Sequence, residues 1–199
     1  MLVKETGSDF KPCPDGTHLA RCCAVIALGT QPQTNPSFKE TFKTLLVWEL
    51  PNELMENGEP FTVSKEYTAS LSEKATLRHH LQGWRGKPFS GQELKGFALE
   101  NVLNVPCMVT VAHEQNRAQK VYAKVVGVAA PLKGTSVPEL KRKVVHYELD
   151  HGENDVYKAL PEWVRKKIAQ CRERNHPEPE PVEAGKEPED EAGNSDLPF

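Results

Sequence analysis

Long apolar runs are missing from this sequence of 199 residues, and none approaches the roughly 18 residues that a membrane-spanning helix requires. The opening stretch MLVKETGSDFKPCPDG has no apolar signal core, so we expect a cytoplasmic protein with no membrane partner. Cysteine is scarce and forms no CxxC pair, which disfavours a zinc site and, without a secretion signal, indicates reduced thiols. The five cysteines are Cys13, Cys22, Cys23, Cys107 and Cys171.

Motifs of the common enzyme classes are also missing. The sequence has no Gly-rich phosphate loop, no GxSxG, no HExxH and no paired-carboxylate motif. The adjacent His79 and His80 stand out, but neighbouring residues on a helix point about 100° apart and do not face one substrate or metal together. We therefore predict that the chain is not an enzyme, has no catalytic residues and uses neither a cofactor nor a metal.

Charge is divided unevenly along the chain, although the formal net charge is only −3. Residues 176–199 carry eight acidic side chains against the single Lys186, a net of −7, whereas residues 1–175 hold 24 basic and 20 acidic residues, a net of +4. The segment 176–199 is also rich in proline, a composition that predicts disorder. Such an acidic tail on a mildly basic body serves solubility, or it interacts with the body's polyanion site or with a partner.

The elements predicted for residues 1–135 are mainly β. Alternating or continuous apolar patterns bounded by turn residues predict strands, and Ser72 is a plausible N-cap for a helix. The order of three strands, a helix and two strands is that of the OB-fold, a five-stranded barrel with a helix between strands 3 and 4. The predicted strands are residues 17–29, 42–50, 61–70, 106–114 and 118–131, with a helix over 73–84.

Residues 136–175 form a predicted C-terminal extension. VVHYEL at 144–149 indicates a further strand, and the pattern from Pro161 to 174 indicates a strongly basic helix. The disordered acidic tail of residues 176–199 follows and ends in Asp196, Leu197, Pro198 and Phe199.

Lysine and tyrosine alternate on two predicted barrel strands. Lys120, Tyr122 and Lys124 share one face of the last strand, and Lys65 and Tyr67 repeat the pattern on the third. A ring between two lysines offers a base a stacking surface and its phosphates two cations, so these residues are predicted to bind a single strand of nucleic acid. The alternative is an ordinary amphipathic strand whose tyrosine covers the sheet.

The loop GWRGKPF at 83–89 adds two cations to this predicted surface. Arg85 and Lys87 lie between glycine and proline residues beside Trp84. They would line a strand-binding groove, or the loop is simply the capped end of a helix.

The end of the chain resembles the C-terminal tip of bacterial single-stranded DNA-binding proteins, where an acidic run ends in Asp-Ile-Pro-Phe or a close variant. Asp196, Leu197, Pro198 and Phe199 match this tip. In those proteins the terminal Phe enters a hydrophobic, basic-rimmed pocket on repair and replication enzymes, and the upstream acids increase the association rate. The resemblance therefore implies that these four residues bind partner proteins.

The body resembles a family of bacteriophage and prophage proteins that bind single-stranded DNA, although it lacks the bacterial proteins' own sequence pattern. This resemblance implies a phage protein in the bacterial cytoplasm that coats single strands during DNA replication, recombination or repair and recruits host or phage enzymes through its tail. The matching stretches are DFKPCPDGTHLARC, VWELP, KEYTASLSEKATLRHHLQGWRGKPF, PCMVTVAH and LPEWV.

Two other functions stay open at the level of sequence. One is an interaction or inhibitor protein whose acidic tail mimics nucleic acid, and the other is an RNA-binding OB module, because stacking does not distinguish the sugars. The sequence also leaves open whether the chain forms a homo-oligomer.

Overall fold

The computed structural model describes residues 11–175 except 34, 36 and 117. The predicted acidic tail and its tip at 196–199 lie outside the described residues. The strands are β1 Gly16–Gln31, β2 Thr41–Leu54, β3 Pro60–Thr68, β4 Pro106–Gln115, β5 Val121–Ala129 and β6 Val145–Tyr147. The helices are α1 Thr76–Arg85, α2 Asp155–Ala159, α3 Glu162–Ala169 and α4 Arg172–Asn175, with 3-10 turns at Glu93–Lys95, Leu99–Val102 and Leu149–His151.

The strands form one mainly antiparallel sheet in the order β3-β2-β1-β4-β5. β1 joins its two halves, because Arg21 is the residue that pairs with both Glu49 of β2 and Pro106 of β4. A register shift between Cys22 and Ala24 follows directly, and such an irregularity bends a strand. β6 pairs in parallel with the second half of β1. The prediction of a mainly β protein therefore matches the structure.

The end strands β3 and β5 are not joined by a backbone ladder in the residues that the structure describes, so the predicted closed barrel is an open sheet there. Side chains bridge the gap instead. The ammonium of Lys65 on β3 donates to the carbonyl of Val125 on β5 over 2.7 Å. Helix α1 also packs against β5 through Gly83, where an added Cβ would lie 2.6 Å from the carbonyl oxygen of Val128.

Two apolar cores lie on opposite sides of β1 and β2. The inner core holds Leu46 and Trp48 of β2 together with Trp84 of α1, whose ring centroid is 6.1 Å from that of Trp48. The outer core holds Leu45 of β2 against the C-terminal extension, including Ile168 of α3. Residues 44–50 of β2 are buried or half-buried on both faces, and a strand of this kind needs an almost continuous apolar sequence.

The C-terminal extension is fastened to the outer face by two carboxylates, one buried and one exposed. The carboxylate of Glu49, which is fully buried, accepts hydrogen bonds from the backbone N–H groups of Lys141 and Arg142 over 2.8 and 3.1 Å. These bonds give the buried carboxylate the partners that it needs. Glu173, which is exposed, accepts from the N–H of Thr30 over 2.8 Å and from its hydroxyl over 2.6 Å.

The predicted single helix of residues 161–174 is wrong in one respect. The helix is interrupted between α3 and α4, and Cys171 lies fully buried at the break. Gly29 of β1 has a φ of +77°, and an added Cβ there would lie 2.6 Å from the Cβ of Cys171. The break therefore places the thiol against a glycine, where it packs closely on the end of β1.

Within the described part of the chain, no helix is both long and apolar enough to cross a bilayer.

Candidate nucleic-acid interface

The outer face of β5 presents an aromatic ring and two lysines to solvent. Tyr122 is 40% exposed, the side chain of Lys124 is 44% exposed, and Lys120 is exposed just before the strand begins. Val125 faces the opposite way into the inner core and is buried. Tyr122 and Lys124 therefore lie opposite the buried Val125, and the ring is accessible for stacking, whereas Val121 at the start of the strand is also 42% exposed.

A carboxylate on the neighbouring strand holds two of these side chains. Glu114 of β4 lies directly opposite Tyr122 in the antiparallel register. Its Oε2 accepts the phenolic O–H of Tyr122 over 2.9 Å, and its Oε1 accepts from Nζ of Lys124 over 2.7 Å. The hydrogen bond from Lys124 is the main cause that lowers the pKa of Glu114, and the same bond raises the pKa of Lys124. Glu114 therefore orients the ring and partly neutralises the surface.

Sequence reasoning missed Glu114, because the predicted strands 106–114 and 118–131 leave only residues 115–117 as the connection. In the structure residues 116–120 connect β4 and β5, and hairpin register follows from the length of the connection. Counting outwards from that turn places Glu114 opposite Tyr122.

Lys65 is half-buried and faces the gap between β3 and β5, where its ammonium binds the carbonyl of Val125. Burial and, next, the charge of Lys124 lower the pKa of Lys65. The prediction that Lys65 lies on a fully exposed face is wrong, because the side chain is half-buried and one N–H of its ammonium donates to a backbone acceptor at the edge of β5.

Tyr67 belongs to the inner core, and the prediction of an exposed stacking ring on β3 is wrong. It is only 3% exposed, and its hydroxyl lies 2.7 Å from Nδ1 of His80 on α1. Phe61 and Val63 share its face of β3 and are also buried. Burial raises the pKa of Tyr67 and lowers that of His80, so the pair is held as a neutral hydrogen bond within the core.

Arg85 is also engaged within the chain. It forms an ion pair with Glu93, and its guanidinium lies 4.5 Å from the ring centroid of Phe89 and 5.4 Å from that of Phe97. A bond from the N–H of Ser90 is the leading cause that lowers the pKa of Glu93, to about 2, which keeps the partner of Arg85 ionised. The predicted role of Arg85 in a strand-binding groove therefore conflicts with its contacts, which fasten the loop after α1.

Lys87 is exposed and has no ion pair among the described residues. It therefore stays available to a phosphate, unlike Arg85. The structure brings Tyr122 and Lys124 together at Glu114, shows Lys120 only as exposed before the strand, and places Tyr67 in the inner core.

The loop between β1 and β2 carries aromatic side chains that the sequence analysis did not select. Phe38 is 65% exposed and Phe42, at the start of β2, is 37% exposed. Lys39 is exposed beside Phe38, and Lys43 donates to the hydroxyl of Thr68 on β3 over 2.8 Å. The repeated Phe-Lys pair in SFKETFK was the available signal, because aromatic rings interleaved with cations are typical of single-strand binding.

Among the described residues, no cluster of three or more His, Cys, Asp or Glu side chains could hold a metal ion. Burial raises the pKa of the Cys13 and Cys23 thiols to about 11, with the nearby Glu53 and Glu49 carboxylates as the second cause for each. These thiols are therefore protonated at neutral pH and are unsuited to nucleophilic chemistry.

The chain matches no protein-family model and no curated protein sequence.

Proposed function

We propose that the chain binds single-stranded DNA without sequence preference and recruits partner enzymes through residues 196–199. The observation that carries the proposal is the exposed ring of Tyr122 between Lys120 and Lys124 on the outer face of β5. A ring on which any base can stack, beside cations that reach phosphates, binds single strands and tolerates every sequence. The resemblance to phage proteins places this activity in DNA replication, recombination or repair in a bacterial host.

The strand connectivity supports an OB-fold as the framework. β1 pairs with both β2 and β4, and α1 follows β3 in the chain. In this proposal, the Lys65 bond to Val125 and the packing of α1 on β5 take the place of a backbone ladder between β3 and β5. An OB-fold takes oligonucleotides on its strand 2–3 face and on the loops between strands 1 and 2 and between strands 4 and 5. The exposed Phe38 and Lys120 lie in these two loops.

Replacing Tyr122 by alanine is expected to weaken single-strand binding by about 1–3 kcal/mol, because one base loses its stacking surface. The fold should stay intact, since the ring lies at the surface and packs into neither core. Fluorescence anisotropy with labelled oligothymidylate measures the affinity, and circular dichroism monitors the fold. Unchanged affinity in a folded Tyr122→Ala protein would show that this tyrosine only covers the sheet and does not stack on a base.

Replacing Glu114 by glutamine is expected to strengthen binding by up to about fivefold. The substitution removes the negative charge that competes with phosphate for Lys124, and an exposed ion pair of this kind is worth about 0.2–1 kcal/mol. Asp150→Asn is a matched control, because it removes one exposed carboxylate from the C-terminal extension instead. An equal increase in affinity in both variants would show that the effect comes from net charge alone. It would contradict a position of Glu114 in the DNA-binding interface.

A further inference from the structure

A groove of about 580 Å³ lies between the outer face of the sheet and the C-terminal extension. Its floor is apolar and comes mainly from β1 and β2, and its wall on the other side comes from α3 and the residues before it. Trp163 on α3 borders the groove and is 49% exposed. The residues that line it include Ile26, Leu45, Val47, Arg142, Lys143 and Trp163.

The exposed tryptophan follows from the position of its neighbours on the helix. Val164 and Ile168 are four residues apart on one side of α3 and are both buried in the outer core. Trp163 precedes Val164 by one position, about 100° around the helix, so its ring turns from the core towards the groove. The ring therefore extends the apolar floor of the groove, and an exposed apolar patch with a polar rim marks an interaction site.

Two cations line the same groove, and the buried carboxylate of Glu49 holds the backbone from which they project. Because Glu49 accepts the N–H groups of Lys141 and Arg142, the backbone is held in place immediately before Lys143. Arg142 approaches Glu49 with its Nε at 3.7 Å, and its side chain is still 45% exposed. Lys143 is exposed and forms no ion pair within the described residues. The rim is therefore positively charged and pre-organised.

We infer that this groove is a second contact site for the single strand, where Trp163 stacks on a base and Arg142 and Lys143 contact the flanking phosphates. Stacking on an aromatic ring beside cations is the chemistry that single strands share whatever their sequence. The groove also borders Thr62 and Ser64 of β3. It therefore lies on the outer face of β1, β2 and β3, beside the C-terminal extension. The inference rests on the proposed function, because the ligand is the same strand.

The tryptophans of the chain supply a direct reporter of this site. The sequence has three, and Trp48 and Trp84 are only 1% and 5% exposed. Titrating the full chain with unlabelled oligothymidylate should therefore quench the fluorescence of Trp163 alone. Trp163→Ala is expected to weaken binding by about 5- to 150-fold. Trp163→Phe keeps an apolar ring for packing, so it should abolish the quenching and keep most of the affinity.

The controls separate this site from the face of β5. Leu132→Ala removes another exposed apolar side chain, 70% exposed and outside the groove, and should change neither signal. Lys143→Ala should weaken binding and make it less sensitive to salt, whereas Lys133→Ala, an exposed lysine outside the groove, should do neither.

Three outcomes would overturn the inference, and they are distinguishable. Normal binding by Trp163→Ala, with no quenching in the unmodified chain, would show that the groove does not contact DNA. The proposed function would not be affected by that result. Failure of the unmodified chain to bind oligothymidylate would contradict both the groove as a contact site and the proposed function. A shift of the Trp163 emission on Leu197→Ala/Phe199→Ala substitution, in the absence of DNA, would assign the groove to the chain's own tail.

Discussion

Replacing Tyr67 by alanine is expected to lower the free energy of unfolding by about 3–5 kcal/mol, the usual cost of removing a buried aromatic ring. The ring fills the inner core beneath α1, and its hydroxyl is bonded to His80 over 2.7 Å. Removing it leaves a cavity and an unpartnered imidazole nitrogen, and each of these is destabilising. Urea unfolding monitored by circular dichroism gives the change in free energy.

Tyr122→Ala is the control for this result, because it removes an exposed tyrosine instead of a buried one. Tyr122 is 40% exposed whereas Tyr67 is 3% exposed, so only the Tyr67 substitution should move the unfolding midpoint. A Tyr67→Ala protein of unchanged stability that no longer binds oligothymidylate would restore Tyr67 as a stacking residue and would contradict its assignment to the core.

Replacing Phe199 by alanine is expected to abolish the capture of bacterial replication or repair enzymes while leaving affinity for single strands unaltered. A single aromatic anchor that fills a pocket can account for most of the energy of a small interface. The upstream segment carries a net charge of −7, which supports association but supplies no such anchor. Nuclease-treated pull-downs from bacterial lysate, with the unmodified and the Phe199→Ala chains as baits, measure the capture.

Val182→Ala is a suitable control for this experiment, because Val182 is another apolar residue of the same acidic segment. It should retain the full set of partners. Identical sets of captured proteins from all three baits would contradict recruitment through Phe199. The acidic segment would then serve solubility only.

The sequence predicted the strands well because their alternating or continuous apolar patterns are clear, but alternation does not say which face of a strand points inward. Phe61, Val63 and Tyr67 share a face of β3 with Lys65. Because that face carries a lysine, it was predicted to be exposed to solvent. Their burial is the ordinary outcome for three large apolar side chains. On β5 the buried Val125 lies opposite the exposed Tyr122 and Lys124, as the pattern predicts, but Val121 at the start of the strand is exposed as well.

The C-terminal extension was less predictable, because distant contacts determine its position. Nothing local to Glu49 indicates that its carboxylate is buried and accepts hydrogen bonds from backbone more than 90 residues away. Likewise, the helix break at Cys171 depends on Gly29 at the other end of the described chain. The groove beside Trp163 is assembled from such contacts, so the sequence analysis did not identify it.

The most direct measurement of the central claim is the affinity of the full chain for oligothymidylate over a series of salt concentrations. Lys87, Lys120 and Lys124 are the exposed cations among the residues predicted to bind DNA, and each phosphate neutralised on a single strand contributes about −0.7 to the slope of log affinity against log salt. The account predicts tight binding at low salt, a slope of about −2 or steeper, and weaker binding to duplex DNA. Binding that is indifferent to salt, stronger for duplex, or displaced more readily by oligouridylate than by oligothymidylate would contradict it.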